Sequence, residues 1–170
     1  GQGVAYFNSD HSSEELVAQM ASMDMDPSRY LRNNRFRIAR LEAPAEGTDP
    51  ANVSKELVAR VSGVPAENSV IIIDSVTNIV RQLSPTLMVG AFSGLDQLAM
   101  DGGTLLVAAR SYIFDKNVLA RLHALCHIHM TFTEETLGAR TVKSVEVTKM
   151  RNVDVRTNNV LNFDVQQGVG

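Results

Sequence analysis

The chain has 170 residues, of which 44% are hydrophobic and 21% are charged, and its net charge is −3. The balance of charges argues against binding to nucleic acid or to an anionic membrane surface. No apolar run approaches the roughly 20 residues that span a bilayer, so we expect no direct membrane insertion. The single cysteine, Cys126, excludes an intrachain disulfide and is typical of a reducing cytoplasm. We expect one domain over residues 1–170.

The first third of the chain predicts alternating strands and helices. Residues 4–8 form a short apolar strand, and Ser12 or Ser13 can cap the helix that follows. Residues 36–41 alternate between apolar side chains and arginines, which predicts a second strand. Pro50 is suited to the first turn of the next helix. This order of elements is typical of a parallel sheet with helical crossovers.

The most informative stretch is the next strand, residues 69–74. Four consecutive β-branched apolar residues, 70–73, predict a strand that is buried on both faces. Asp74 follows at the carboxyl end, which is the edge where open α/β sheets bind ligands. A carboxylate there can hold a magnesium ion through its hydration shell, as in the Walker B segment of phosphate-binding ATPases. No G-x-x-x-x-G-K-[ST] loop occurs in the 170 residues.

The rest of the chain predicts two more helices and four more strands. Pro85 opens a helix, and a buried strand follows at residues 104–109. The remaining elements are a helix at 118–125 and strands at 128–133, 141–149 and 160–165. The fold class is therefore α/β, with a mainly parallel sheet, flanking helices and antiparallel strands at the end.

Seven stretches, taken in order, carry a family resemblance. They are VAYFNSD (4–10), SSEELVAQM (12–20), VIIIDS (70–75), LHALC (122–126), GARTVK (138–143), VEVTKMR (145–151) and TNNVLNFDV (157–165). Together they resemble the RecA/KaiC-like ATPases, and most closely the accessory ATP-binding family of the archaellum motor. The resemblance implies a RecA-like P-loop NTPase core that binds ATP and magnesium. It also implies a cytoplasmic ring of about six copies, whose partners are the motor's hexameric ATPase, the membrane platform and a surrounding scaffold.

In that family a strand, a phosphate loop with its lysine and a helix precede the segment that begins this chain. We therefore expect that the first βα unit is missing and that the chain is an N-terminally truncated fragment. A missing central strand would leave unpaired sheet edges and exposed apolar surface. We also expect weak or absent nucleotide binding by residues 1–170 alone, because backbone amides and a lysine of that loop would cradle the phosphates.

Asp74 is the strongest site candidate, and its expected role is to orient a magnesium-bound water beside the phosphates. The alternative is an acid that ends a strand and caps the next turn. Ser75 and Thr77 are further candidates for the shell of the metal, although capping suits them as well. Asp10 lies where the resemblance implies a glutamate that polarises the attacking water. The aspartate is shorter by one methylene, which agrees with slow or no hydrolysis; the alternative is an Asx turn in which Asp10 or Ser12 caps the helix.

Lys149 and Arg151 form a Lys-x-Arg pair on a late strand. In the KaiC-like family this pair reaches across a subunit boundary to the γ-phosphate of a neighbour, and the planar fork of arginine suits phosphate oxygens. The alternative is a solvated strand face. Arg110 and Ser111 follow the strand at 104–109, where related ATPases keep a polar sensor of the γ-phosphate.

A cluster of candidate metal ligands also occurs in the sequence, at His123, Cys126, His127 and His129. Its spacing fits neither a zinc ribbon nor haem attachment, so we favour ordinary packing.

Two other functions stay open. One is a KaiC-like signalling or recombination ATPase, and the other is a degenerate, non-catalytic scaffold subunit.

Overall fold

The computed structural model describes residues 3–63, 68–100, 102–138, 140–151 and 159–164. The strands are β1 (Gly3–Asn8), β2 (Phe36–Arg40), β3 (Asn68–Asp74), β4 (Thr104–Val107), β5 (Ile128–Leu137), β6 (Arg140–Met150) and β7 (Val160–Phe163). The helices are α1 (Ser13–Ser22), α2 (Ser28–Arg32), α3 (Pro50–Ser62), α4 (Thr77–Val80), α5 (Pro85–Met100) and α6 (Lys116–Leu125). No helix in these ranges is long and apolar enough to cross a membrane.

The strands form two sheets. The first has four parallel strands in the order β2-β1-β3-β4, and the second has three antiparallel strands in the order β5-β6-β7. The expected α/β class, with a parallel sheet and antiparallel strands at the end, is confirmed. In the parallel sheet Asn8 lies opposite Asp74, and Ile73 lies opposite Val107. The carboxyl ends of β1, β3 and β4 therefore meet at one edge.

The hydrophobic core lies on one face of the parallel sheet. Ala5 and Phe7 of β1 and Ile73 of β3 point into it and are almost fully buried. Helix α3 contributes Val53, Leu57 and Val61, which recur every four residues and so share one face of the helix. Side chains of α5 and α6 complete the core, among them Leu95, Val118 and Leu122.

The opposite face of the parallel sheet is only partly covered. The prediction that residues 70–73 are buried on both faces is wrong, because Ile73 alone among them is fully buried and Val70 and Ile72 are half-buried. The strand predicted as buried at residues 104–109 is also more exposed than expected, and Leu106 is 52% accessible. The physical reason is that the buried core faces one side of β3 and β4.

Each sheet has two edge strands that pair on one side only among the described residues. They are β2 and β4 in the parallel sheet and β5 and β7 in the antiparallel sheet. Apolar side chains of the antiparallel sheet are exposed, with Phe132 at 67% and Leu161 at 63% accessibility. Every open sheet has such edges, so the expectation of a missing first βα unit stays a prediction.

Element boundaries differ from the predictions where polar side chains continue a strand or where a helix is short. β5 extends to Leu137 rather than stopping at Thr133, because the ladder with β6 continues through residues with polar side chains. β4 ends at Val107, two residues early. Helices α2 and α4 have five and four residues, which is too short for a helical hydrophobic period to reveal. The predicted end of β7, residue 165, lies outside the described residues.

The contact between α3 and α5 supplies a test of packing. A Cβ atom at Gly94 would lie 2.9 Å from Cγ2 of Val58, whereas at Gly90 on the same helix it would meet nothing within 4 Å. We expect Gly94→Ala to lower the free energy of unfolding by about 1 kcal/mol, because an overpacking cost of about 1–3 kcal/mol exceeds the gain in helix propensity. Gly90→Ala, the matched control, should raise it by about 0.5–1 kcal/mol.

Urea unfolding of both variants measures these values. The double variant Val58→Ala, Gly94→Ala should lose less stability than the sum of the two single changes, because the added methyl group then has room. Equal effects of the Gly94 and Gly90 changes would contradict the close approach of the two helices.

Candidate functional site

Backbone hydrogen bonds hold three strand ends together at the carboxyl edge of the parallel sheet. The amide of Ser9, just after β1, donates to the carbonyl of Asp74 at 3.1 Å. The amide of Val76, just after β3, donates to the carbonyl of Ala108 after β4 at 3.1 Å. Asp74 at the end of β3 and the loops that carry Asp10 and Arg110 therefore lie at one edge of the sheet, as expected for parallel strands.

Asp74 is exposed at this edge, and one of its oxygens has a strong partner. The hydroxyl of Tyr6, on the neighbouring strand β1, donates to Oδ2 of Asp74 at 2.6 Å. Burial is the largest cause that raises the pKa of Tyr6, and the hydrogen bond to the negative Asp74 raises it further. The phenol therefore stays protonated and remains a donor to the carboxylate. Asp74 is not the cap of the next turn: helix α4 has no side-chain cap.

Asp10 is held by two donors on the same oxygen. The hydroxyl of Ser9 donates to Oδ1 of Asp10 at 2.8 Å, and the side-chain amide of Asn78 donates to it at 3.0 Å. Oδ2 of Asp10 has no hydrogen bond from the described residues. The Asx turn that the sequence suggested is present, but Asn8 makes it: its Oδ1 accepts from the amide of Asp10 at 3.1 Å. Ser12 caps α1 in a capping box with Glu15, so Asp10 is free of that task.

Ser75 and Thr77 differ in what they do. The hydroxyl of Thr77 accepts from the amide of Arg110 at 3.0 Å, so it fastens the end of β4 to the start of α4. Ser75 is 6% accessible, and its hydroxyl has no hydrogen-bond partner among the described residues. A buried hydroxyl without a partner is unusual in folded proteins, where an ordered water, an ion or another ligand commonly satisfies it.

The donor set at this edge suits a hydrated magnesium ion. Magnesium prefers oxygen ligands, keeps several of its waters and is usually held by one or two carboxylates together with phosphates. Asp74 supplies an exposed carboxylate and Ser75 an unsatisfied hydroxyl. Among the described residues no group of three or more His, Cys, Asp or Glu side chains could hold a metal by itself. The residues therefore fit a magnesium ion that is coordinated mainly by phosphate oxygens and by its own waters.

Arg110 brings a positive charge to the same edge. Its guanidinium donates to the hydroxyl of Tyr112 at 3.3 Å, and this bond is the largest cause that raises the pKa of Arg110, to which the charge of Asp10 adds. Its side chain is exposed, so the cation is available to a ligand. Ser111 begins a short 3₁₀ turn, Ser111–Ile113.

Lys149 and Arg151 lie at a different place, the carboxyl end of α6. Lys149 donates to the carbonyls of His123 and Ala124, the latter at 3.1 Å. Arg151 donates to the carbonyls of Ala124 at 2.8 Å and Leu125 at 3.3 Å. These carbonyls lack intrahelical donors, and cations at a helix carboxyl end are favoured by the helix dipole. The pair caps a helix of its own chain, which is not the solvated strand face that the sequence left open. The contact with the phosphate of a neighbouring subunit stays a prediction.

The histidines next to this cap pack together. The rings of His123 and His129 meet edge to face with centroids 4.4 Å apart, and both contact the hydroxyl of Thr148. Burial is the largest cause that lowers the pKa of His129, and the charges of His123 and Lys149 add to it. Cys126 donates to the carbonyl of His123 at 3.6 Å. The packing that the sequence analysis favoured over a metal centre accounts for these contacts.

Sequence reasoning missed Tyr6 and Asn78. Tyr6 occupies an inner position of a predicted strand and reads as a packing residue; its partner Asp74 is 68 residues away. Asn78 follows the Walker B strand at a spacing that no motif marks, and Asp10 is also 68 residues distant from it. The one available signal was that Tyr6 and Asn78, whose side chains end in polar groups, lie near the edge of the sheet where a ligand was expected.

Comparison with known proteins identifies the family. The family model described as "ATPase: KaiC" matches residues 1–169, so the chain belongs to the KaiC ATPase family. The fold is the RecA-like fold: the structure is similar to the crystal structure of flagellar accessory protein FlaH from Methanocaldococcus jannaschii, with a TM-score of 0.70 and 15% sequence identity. That match covers 97% of this chain and 73% of the FlaH chain. No curated protein sequence matches the chain. The resemblance to RecA/KaiC-like ATPases is thereby confirmed.

The cap of α6 can be tested by removing its cations. We expect Lys149→Met and Arg151→Met each to lower the free energy of unfolding by about 0.5–1 kcal/mol, because each removes a charged donor from the end of the helix. Lys143→Met on the same strand is the matched control. Lys143 meets Glu134 at 3.8 Å in an exposed ion pair, so its loss should cost no more than about 0.5 kcal/mol.

Thermal unfolding measures all three variants, and hydrogen exchange of the last turn of α6 locates the effect. Faster exchange there in the Lys149 and Arg151 variants, and unchanged exchange in the Lys143 variant, is the expected result. Unchanged exchange in all three variants would rule out a capping role.

Proposed function

We propose that the protein is an ATP- and magnesium-binding regulatory subunit of an archaellum-type motor, in which bound nucleotide acts as an assembly signal. The observation that supports this most is the exposed carboxylate of Asp74 at the carboxyl edge of the sheet, beside the buried free hydroxyl of Ser75. Membership of the KaiC ATPase family and the structural likeness to FlaH agree with it.

Each residue at the edge has a role that its contacts allow. Asp74 would hold a water of the magnesium ion, with Ser75 as a second oxygen in that shell. Magnesium, when bound, neutralises charge on the phosphates. The exposed guanidinium of Arg110 would meet the terminal phosphate, since its charge is not neutralised by an ion pair among the described residues.

Asp10 would orient the attacking water through Oδ2, because Ser9 and Asn78 already occupy Oδ1. The short side chain favours slow or no hydrolysis, which suits a switch that must stay loaded. The possible enzyme activity is therefore a weak ATPase.

We further propose a hexameric ring in the cytoplasm, at the membrane-bound motor, with the motor ATPase, the membrane platform and a scaffold as partners. In such a ring Lys149 and Arg151 would reach the phosphate of a neighbour. Both side chains now bind carbonyls of α6, so this contact requires them to exchange helix carbonyls for phosphate oxygens. A charged phosphate is the stronger acceptor, so the exchange is favourable when a neighbour presents it.

Two alternatives remain, and each can be distinguished by an observation. The family model is that of KaiC, which favours a signalling ATPase that shares this site. A non-catalytic scaffold subunit predicts that a reading frame longer than residues 1–170 also has no G-x-x-x-x-G-K-[ST] loop. A longer reading frame that still lacks this loop would support the scaffold; a ring whose assembly ignores nucleotide would count against the switch.

The test is nucleotide binding with and without magnesium. We expect residues 1–170 to bind ATP weakly or not at all, and the protein from the full reading frame to bind it with micromolar affinity when magnesium is present. Asp74→Asn should weaken binding by about ten-fold in magnesium and have little effect in EDTA, because the carboxylate acts through the metal.

Glu134→Gln is the matched control, since this acid lies on the antiparallel sheet and meets Lys143. Isothermal titration calorimetry gives the affinities. An equal effect of Asp74→Asn in magnesium and in EDTA would remove the proposed role of the residue, and micromolar binding by residues 1–170 would overturn the prediction for the isolated chain.

A further inference from the structure

The hydrogen bond between Tyr6 and Asp74 has a chemical consequence for the metal. It joins two strands, is 2.6 Å long and uses one of the two carboxylate oxygens. A free aspartate rotates about two bonds and can turn either oxygen to solvent. With Oδ2 fixed by the phenol, Oδ1 alone is presented in a defined direction.

The phenol itself is held in place. Tyr6 is half-buried on β1, and its ring contacts that of Phe36 on β2 with centroids 6.0 Å apart. Its strand lies between β2 and β3, so the ring is supported on one side while its hydroxyl reaches the other. The donor is therefore anchored by the sheet and not by the carboxylate that it contacts.

We propose that Tyr6 is a positioning residue that orients Asp74 for a divalent cation, an inference that rests on the proposed function. Residues that hydrogen-bond to a metal-ligating side chain commonly raise metal affinity by about ten- to a hundred-fold. The reason is that the ligating side chain no longer loses rotational freedom when the metal binds. Tyr6 touches neither nucleotide nor metal in this role. Its contribution appears in cation affinity, and ATP affinity without metal stays unchanged.

A competing role of Tyr6 predicts the opposite change in cation affinity. If the phenol blocked Asp74, its removal would free Oδ2 and tighten cation binding. Tyr6→Phe separates the two roles, since it removes the hydroxyl and keeps the ring that packs on Phe36. Tyr30→Phe is the matched control, because Tyr30 is 50% accessible and its hydroxyl has no hydrogen bond to Asp74.

The probe is Mn²⁺ alone, added to residues 1–170 and followed by the electron paramagnetic resonance signal of the free ion. We expect Tyr6→Phe to bind Mn²⁺ about ten-fold more weakly than the unchanged chain, and Tyr30→Phe to bind equally well. Asp74→Asn should abolish this binding, which locates the ion. Equal or tighter binding by Tyr6→Phe, or the absence of any Mn²⁺ binding that depends on Asp74, overturns the proposal. The proposed function is tested separately by the ATP titration, because there the phosphates hold most of the ion.

A second measurement does not depend on affinity. The chain has three tyrosines and no tryptophan, so its emission reports tyrosine alone. Saturating Mg²⁺ should change the emission of the unchanged chain and of Tyr30→Phe, because the carboxylate beside Tyr6 redistributes its charge to the cation. The change should be lost in Tyr6→Phe; its persistence there would contradict a link between the two side chains.

Discussion

The parallel pairing of β1, β3 and β4 is the constraint on which the site depends. Strands that run in the same direction place all their carboxyl ends at one edge, and here the register puts Asn8 opposite Asp74. Two residues that are distant in sequence, Asp10 and Asn78, then come within 3.0 Å of each other. A shift of β1 by one residue would turn Tyr6 to the other face and remove its bond to Asp74.

The same sheet has its buried core on one face. Helices α3, α5 and α6 pack there, and the close approach of α3 to α5 at Gly94 shows how tightly that layer is built. The half-covered face carries Tyr6, Ile72 and Asp74. The polar site therefore lies at the end of a surface that is otherwise mostly apolar. Leu106 on the edge strand continues this surface. An open strand edge and a partly bare face together form a place where further chain or a partner can pack.

Lys149 and Arg151 have a structural role within their own chain. Their charges hold the carboxyl end of α6, the element that also presents His123 to His129.

Local signals in the sequence were sufficient for the longer elements. The capping box at Ser12, the proline at the start of α3 and the apolar run before Asp74 act within a few residues, so each could be recognised without the fold. Burial was predicted less well. An apolar run indicates that a strand can be buried on both faces. It does not indicate whether other elements cover each face. For this reason Ile72 was expected to be buried, whereas it is only half-buried.

The sequence by itself determined the fold class, the family and the carboxylate at the strand end, because periodicity, caps and ordered motifs are properties of neighbouring residues. The tertiary structure alone decided that Tyr6 binds Asp74, that Asn78 holds Asp10, and that Lys149 caps a helix. Those contacts join residues between 25 and 68 positions apart. Their geometry depends on strand register, which is set only when each sheet forms as a whole.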